Sequence, residues 1–481
     1  MMILTDGFKF DNTFRTLPKE LFEEVDQAPI KSARLIHTTH LKKELGLENF
    51  NDDELRSWLN GLTRFQGDQK IATRYAGHQF GVWAGQLGDG RAISLGEILT
   101  PGQERFEIQV KGAGLTPFSR MGDGKAVIRS SVREYLCSEA MFGLGIPTTR
   151  VLALLTGDDQ VRRETIERSA LVARVFPSNV RFGHFEMCYH FEKPDALTAL
   201  INYTRDTLHP GLTTEEMLKE IVTRTAKLMA QWQNVGFCHG VMNTDNFSVL
   251  GLTIDYGPFG FLEDTVLNYI CNHTDQRGLY AYNQQPSRGM WNLERLLVCF
   301  MNVVPKESLE EILNSYVGTF EAEYGRLCRE KLGLKVLIEE DYPLFIELLK
   351  AMSLLSIDYT YFFRQLASYK AADLSSIQAF WDYYGQRQEI KTWLKKYDER
   401  LKLETLSAEE RGLQMKKTNP KYVLKNYIAQ EVITDVEKGN TRLLGEWLNV
   451  LYHPFDEHPE FEKYSGPTPS EHKHIEVSCS S

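Results

Sequence analysis

Cysteine is scarce in this chain: seven in 481 residues, at positions 137, 188, 238, 271, 299, 328 and 479. Secreted folds stapled by disulfides use cysteine densely and in even numbers, so that class is excluded, and an odd count leaves at least one thiol over. No run approaches the roughly 18 consecutive apolar residues of a spanning helix, so no membrane partner is expected. The amino terminus has neither an apolar signal core nor an Arg-rich, acid-poor leader, since Asp6, Asp11, Glu20, Glu23 and Glu24 all fall there. These absences predict a reducing, cytoplasmic location. Positive charge is also in deficit: 55 Lys and Arg against 65 Asp and Glu leave a net −10, which disfavours a nucleic-acid partner. Internal repeats and low-complexity tracts are missing as well. What is present is an ordinary globular mixture, 42% hydrophobic and 25% charged, in a chain long enough for two or three units.

The texture changes along the chain. Residues 1–70 read as short helices and loops, with Asn51 placed to cap a helix beginning near Asp52. Between about 71 and 185, short β-like runs punctuated by glycine (FGVWAG, RAISLGEIL, RFEIQVKG, VLALLTG, ALVARVF) predict a small, mostly antiparallel sheet. One helix interrupts it, with Ile128, Val132, Tyr135, Leu136 and Ala140 at helical spacing and a glycine stop at Gly143 or Gly145. Residues 186–330 are dominated by helical patterns. Residues 331–481 form a further helical extension whose loose tail, around Pro467 and Pro469, carries Cys479. The expected class is α+β, with a β-rich lobe followed by a larger helical one.

Within the β-rich part, GQLGDGRA sets Gly85, Gly88 and Gly90 between two strand-like runs, where backbone amides can approach an anion. The plainer reading is a hairpin turn. The balance shifts at Lys111, which closes the apolar strand RFEIQVK, and at Glu134 on the following helix. A glycine loop, a strand lysine and a helix glutamate, in that order, are how protein kinases hold ATP phosphates, although any one helix glutamate is more often a surface ion-pair residue. The segment HGVMNTDNFSVLGLTIDYGPFGF, residues 239–261, extends the pattern: His239, Gly240, then Asn246 at the metal-binding asparagine and Asp255-Tyr256-Gly257 at the Asp-Phe-Gly position. It breaks at Val241, which stands where a catalytic aspartate belongs and can neither accept a proton nor orient a hydroxyl. Asp245 lies four residues on. Three readings stay open: an inactive ATP-binding pseudokinase scaffold, a small-molecule phosphotransferase, or an enzyme whose base has moved with the group it transfers. Asn246 and Asp255 suit Mg²⁺, a hard cation that also binds substrate phosphates. Arg174 and Arg181 are candidate phosphate ligands, the guanidinium fork matching phosphate geometry.

Longer strings are more specific. YAGHQFG (75–81), QVKGAGLTPFSRMGDGKAVIRSSVREYLCSEAM (109–141), HGVMNTDN with IDYGPFGF, NPKYVLKNYIAQ (419–430) and the terminal CSS together resemble the selenoprotein O family over nearly the whole chain. The resemblance implies a protein-kinase-like bilobal fold that binds ATP in a flipped orientation and transfers AMP to hydroxyl side chains of protein substrates. It implies Asp245 as the base and Asn246 and Asp255 as Mg²⁺ ligands, with Mn²⁺ as an alternative metal. Lys111, Arg174 and Arg181 become phosphate clamps, with Asp255 also beside the nucleotide, and Glu134 holds Lys111. Gly88, Gly90, Arg91, Asp123 and Gly124 become nucleotide contacts, with UTP as an alternative to ATP. Where eukaryotic members carry selenocysteine this chain has Cys479, and two readings of it stay open: a disulfide to Cys271, the cysteine best placed in sequence after the Asp-Tyr-Gly motif, or an unpaired exposed thiol.

Overall fold

The computed structural model describes residues 2–4, 9–473, 475 and 477. Its first half is built on an antiparallel sheet in which Phe22–Glu24, Ile71–Thr73, Ala92–Leu99, Arg105–Lys111, Ile166–Phe176, Arg150–Arg162 and Arg34–Thr38 lie side by side. Lys9–Phe10 and Ala126–Val127 pair onto the third and fifth of these strands. The segment before residue 70 therefore contributes strands to this sheet as well as the expected helix. That helix, Asp52–Leu59, is capped by Asn51, whose side chain accepts from Asp53 and Glu54 amides while Glu54 reaches back. The strands Arg105–Lys111 and Ile166–Phe176 bury both faces along most of their length, which is why their sequences run apolar without alternation.

The helix Ile128–Gly143 crosses this sheet and is buried nearly all round. Its far side is covered by the carboxy-terminal helices Asn426–Glu437 and Arg442–Tyr452. Arg133 ties the layers together: its guanidinium lies 4.4 Å over the Phe259 ring and donates to Phe259 O at 2.9 Å and Asn426 Oδ1 at 3.1 Å. From residue 182 onward helices dominate, among them Thr214–Val235, with a capping box from Thr213 and Glu216, and Lys306–Lys331. The mixed α/β class expected from the sequence is what is observed. Among the described residues no helix is long and apolar enough to cross a membrane.

The carboxy-terminal helices approach the Glu134-bearing helix through Gly143, where an added Cβ would stand 1.9 Å from the Leu451 carbonyl oxygen. Gly143→Ala is therefore expected to lower stability by about 2 kcal/mol in urea unfolding, because backbone must move to admit the methyl. Gly318→Ala, on an open helix face where a Cβ meets nothing, is the control and should be neutral or slightly stabilising.

Candidate active site

A cavity of about 800 Å³ opens between the sheet and the start of the helical region, lined from one side by residues 75–125 and 162–174 and from the other by 181, 241–258 and 274. Its lining holds eight lysines and arginines against four aspartates, in a chain that is acidic overall.

One chain of buried charges runs through it. Lys111, at the end of its strand, donates from Nζ to Glu134 Oε2 at 2.5 Å. The other oxygen, Oε1, accepts from Arg174 Nε. Arg174 Nη2 in turn stands 2.7 Å from Asp255 Oδ1, as an ion pair without hydrogen-bond geometry. Asp255 Oδ2 accepts from Arg181 Nη1, which also donates to the Asp245 carbonyl at 3.0 Å. Strand pairing dictates this convergence, since Gln109 opposes Arg174 in the register and its Oε1 accepts from Arg174 Nη1 at 3.2 Å. Burial alone would push the carboxyls up. The neighbouring cations outweigh it, holding Glu134 below the usual range and Asp255 well below it. Burial would likewise lower both arginines, but the carboxylates raise them, whereas Lys111 stays desolvated enough to fall to about 8.

Asp255 sits at φ +59°, a left-handed conformation uncommon for a side-chain-bearing residue, and this turns its carboxylate toward the arginines. His239 holds the neighbouring turn from beneath: its Nε2 pairs with the Ile254 carbonyl at 2.9 Å and its Nδ1 accepts from Val241 N at 3.3 Å. Asn246 Nδ2 donates to Val241 O at 3.0 Å, leaving Oδ1 without a partner among the described residues. Asp245 is buried; among the described residues its Oδ1 has no hydrogen-bond partner, and its Oδ2 accepts only a long 3.4 Å contact from Gln79 Nε2. Burial pushes its carboxyl up to about 6, still ionised at neutral pH.

Among the described residues no group of three or more His, Cys, Asp or Glu is arranged around a common metal position. The free Asn246 Oδ1 and the Asp255 carboxylate nevertheless line one cavity, and two hard oxygen donors plus phosphate oxygens are a donor set that fits Mg²⁺.

Of the other predicted residues, Gly88, Gly90, Arg91, Asp123 and Gly124 line the same cavity. Gly88 and Gly90 lie against the loop at 113–125: a Cβ on Gly88 would be 2.4 Å from the Phe118 ring and one on Gly90 2.8 Å from the Phe118 carbonyl. Their lack of side chains thus already has a packing reason. Arg91, desolvated and lowered by burial, has no ion-pair partner among the described residues. Asp123 is paired with Arg163 at 2.8 Å, and Gly124 closes the loop by accepting from Gly114 N at 3.1 Å. Gly85 lies outside this lining, on the hairpin beside it. Cys271 is buried against Gly240 beside the site, its thiol pushed well above the ordinary range by desolvation. All six described cysteines are free and buried, and Cys479 lies outside the described residues. Sequence reasoning passed over Asp89, Arg120, Arg162, Gln79 and Asn243, all in the lining. All but Arg162 stand inside strings already quoted, but no spacing rule marks them.

The family described as Protein adenylyltransferase SelO matches residues 6–451. Among curated relatives, a protein nucleotidyltransferase YdiU from Myxococcus xanthus is 41% identical over 488 residues, covering all of both chains. One of the same name from Photobacterium profundum is 43% identical over 506 residues, covering 98% of each, and one from Vibrio cholerae is 42% identical over 492 residues, covering all of both.

Among the described residues Glu134 is the one carboxylate that accepts hydrogen bonds from both Lys111 and Arg174. Glu134→Gln leaves two buried cations short of one charge, so a stability loss of about 3 kcal/mol is expected in chemical unfolding. A change below about 0.5 kcal/mol, the size expected of an exposed pair, would mean that the pair is solvated.

Proposed function

The chain belongs to the protein adenylyltransferase SelO family, and from that membership and the cavity's chemistry we propose that it transfers AMP from ATP to hydroxyl side chains of protein acceptors, releasing pyrophosphate. The observation that carries the reading is Asp245: a buried carboxylate, one oxygen of which has no partner among the described residues, in a cavity otherwise rich in cations. A scaffold that only bound nucleotide would have no use for it.

In this reading the fold is a kinase-like bilobal body, with residues 71–185 as the nucleotide-binding lobe, 186–330 as the helical catalytic lobe, and flanking segments at 1–70 and 331–481. The sheet followed by helices, with a cavity lined from both, supports that division. Lys111, Arg174 and Arg181 clamp the phosphates, and Arg91 adds an unpaired guanidinium. Gly88, Gly90, Asp123 and Gly124 shape the nucleotide's edge of the cavity. Asn246 and Asp255 are the residues that would hold a divalent cation, Mg²⁺ or Mn²⁺, with Arg174 and Arg181 turned to the phosphate oxygens. When bound, that cation supplies neutralising charge for the polyphosphate.

Asp245 Oδ1 accepts the proton of a Ser, Thr or Tyr hydroxyl. The hydroxyl oxygen forms a bond to the α-phosphorus, the bond from that phosphorus to the bridging oxygen breaks, and pyrophosphate leaves with the electron pair. The relatives' broader name, nucleotidyltransferase, supports UTP as a second donor. The pairing of Cys271 with Cys479 belongs to the same proposal. Its support is the carbonyl of Val477, close to Cys479 in the chain, which accepts from His273 N at 3.3 Å close to Cys271.

With ATP labelled at the α-phosphate, Asp245→Asn is expected to keep nucleotide affinity and lose about 10²- to 10⁴-fold in transfer rate, the usual share of a general base. Asp255→Ala should lose transfer altogether, along with the part of ATP affinity that depends on divalent cation in calorimetry. Wild-type transfer rates in Asp245→Asn would sink the assignment of the base.

A further inference from the structure

We infer that the hairpin at residues 76–86 is the docking element for the acceptor protein, which lies along its outer strand as an extended segment and delivers its hydroxyl to Asp245. The inference rests on the transfer reaction proposed above.

Strands Ala76–Gln79 and Val82–Gln86 pair antiparallel, with Gln79 opposite Val82 and His78 opposite Trp83. The turn between them places Phe80 and Gly81 both at positive φ, +50° and +76°, which is the twist a two-residue hairpin turn needs. A phenylalanine tolerates this poorly, and it is held there: Phe80 N donates to Asn243 Oδ1 at 3.1 Å and Tyr280 OH at 2.8 Å. The inner strand is bound to the loop of the base. His78 N donates to Thr244 Oγ1 at 2.8 Å, Gln79 reaches Asp245 Oδ2, and a Cβ on Gly77 would stand 2.6 Å from Thr244 Oγ1. His78 Nδ1 also meets the buried Glu186 carboxylate at 2.5 Å. The hairpin is therefore fixed relative to Asp245.

Its outer strand is not covered. Among the described residues the sheet has two strands only, so the outer edge of Val82–Gln86 has no strand beside it. Free edges are ordinarily blunted by Lys, Pro or inward charge, and Val-Trp-Ala-Gly-Gln offers none of these. Val82 is 70% exposed and Trp83 37%. The register slips near Ala76, and Gly85 lies at φ +71°, so the regular edge is the stretch from Val82 to Ala84.

A polypeptide is the occupant this edge suits, because its free main-chain groups pair with another main chain whatever the sequence, and the proposed acceptor is a protein. The edge is also continuous with the reaction site. Opposed residues share a face, so Val82 stands beside Gln79, which lines the cavity and touches the base. Trp83 faces the other way, its ring 4.3 Å from that of His190 and next to the exposed Phe191, a shelf for an apolar acceptor side chain.

The test uses the whole protein, α-labelled ATP and dephosphorylated casein as an unfolded, hydroxyl-rich acceptor. Val82→Asp, on an exposed side chain, is expected to raise the KM for casein by about tenfold or more, with kcat at saturating casein and ATP affinity within about twofold of wild type. Trp83→Ala should act in the same direction and Val82→Ile should behave as wild type. An unchanged casein KM in both Val82→Asp and Trp83→Ala would overturn the inference while leaving the transfer reaction standing. So would a wild-type dimer in sedimentation that Val82→Asp abolishes, which would give the edge to a second copy of the chain. No label on casein from the wild type would reject the transfer reading and the docking inference together.

Discussion

The site depends on the burial of one carboxylate. Glu134 is 1% exposed, and an unpaired charge at that depth would cost several kcal/mol, so its two oxygens need two cations. Lys111 supplies one from the sheet and Arg174 the other from the neighbouring strand. Because Arg174 also faces Asp255, and Asp255 faces Arg181, satisfying Glu134 sets the position of every charge down to the Asp245 backbone. The helix that carries Glu134 is in turn pressed into place by the carboxy-terminal helices through Gly143 and Arg133. These two carboxy-terminal helices thus bear on the site without lining the cavity.

The cavity's charge contrasts with that of the chain. The sequence carries a net −10, yet the cavity lining holds twice as many cations as carboxylates. Such a contrast focuses a positive field on the opening, as the proposed transfer from a nucleoside triphosphate requires. It also explains why Asp245 can remain ionised while buried: Arg181 lies close enough to offset part of its desolvation.

Much of this was legible in the sequence, for reasons that differ between residues. Lys111 announced itself as a charge ending an apolar strand, which needs a partner, and the partner was Glu134 in a quoted motif; Asp255 follows the strand-like run Leu252-Thr253-Ile254, of which the structure forms only a single bridge, from Thr253 to Thr148. Glu134 looked like a surface ion-pair residue when taken alone, and only its order after the glycine loop and Lys111 argued otherwise. The strands before residue 70 were hidden because they span two to five residues each, too few for alternation to register. The glycines at 88 and 90 were read for anion approach, whereas the Phe118 loop packs against them directly. The hairpin around Phe80 escaped because its turn uses a phenylalanine where glycine or asparagine is the usual signal, a strain affordable only with Asn243 and Tyr280 bonded to it.

The central claim is that the bond broken in ATP is the one at the α-phosphorus, with Asp245 activating the incoming hydroxyl. Phosphorus-31 NMR of a single turnover with acceptor protein reads this directly. The account predicts a pyrophosphate resonance and a phosphodiester on the acceptor, both lost with Asp245→Asn. ADP together with a phosphomonoester on the acceptor would contradict it.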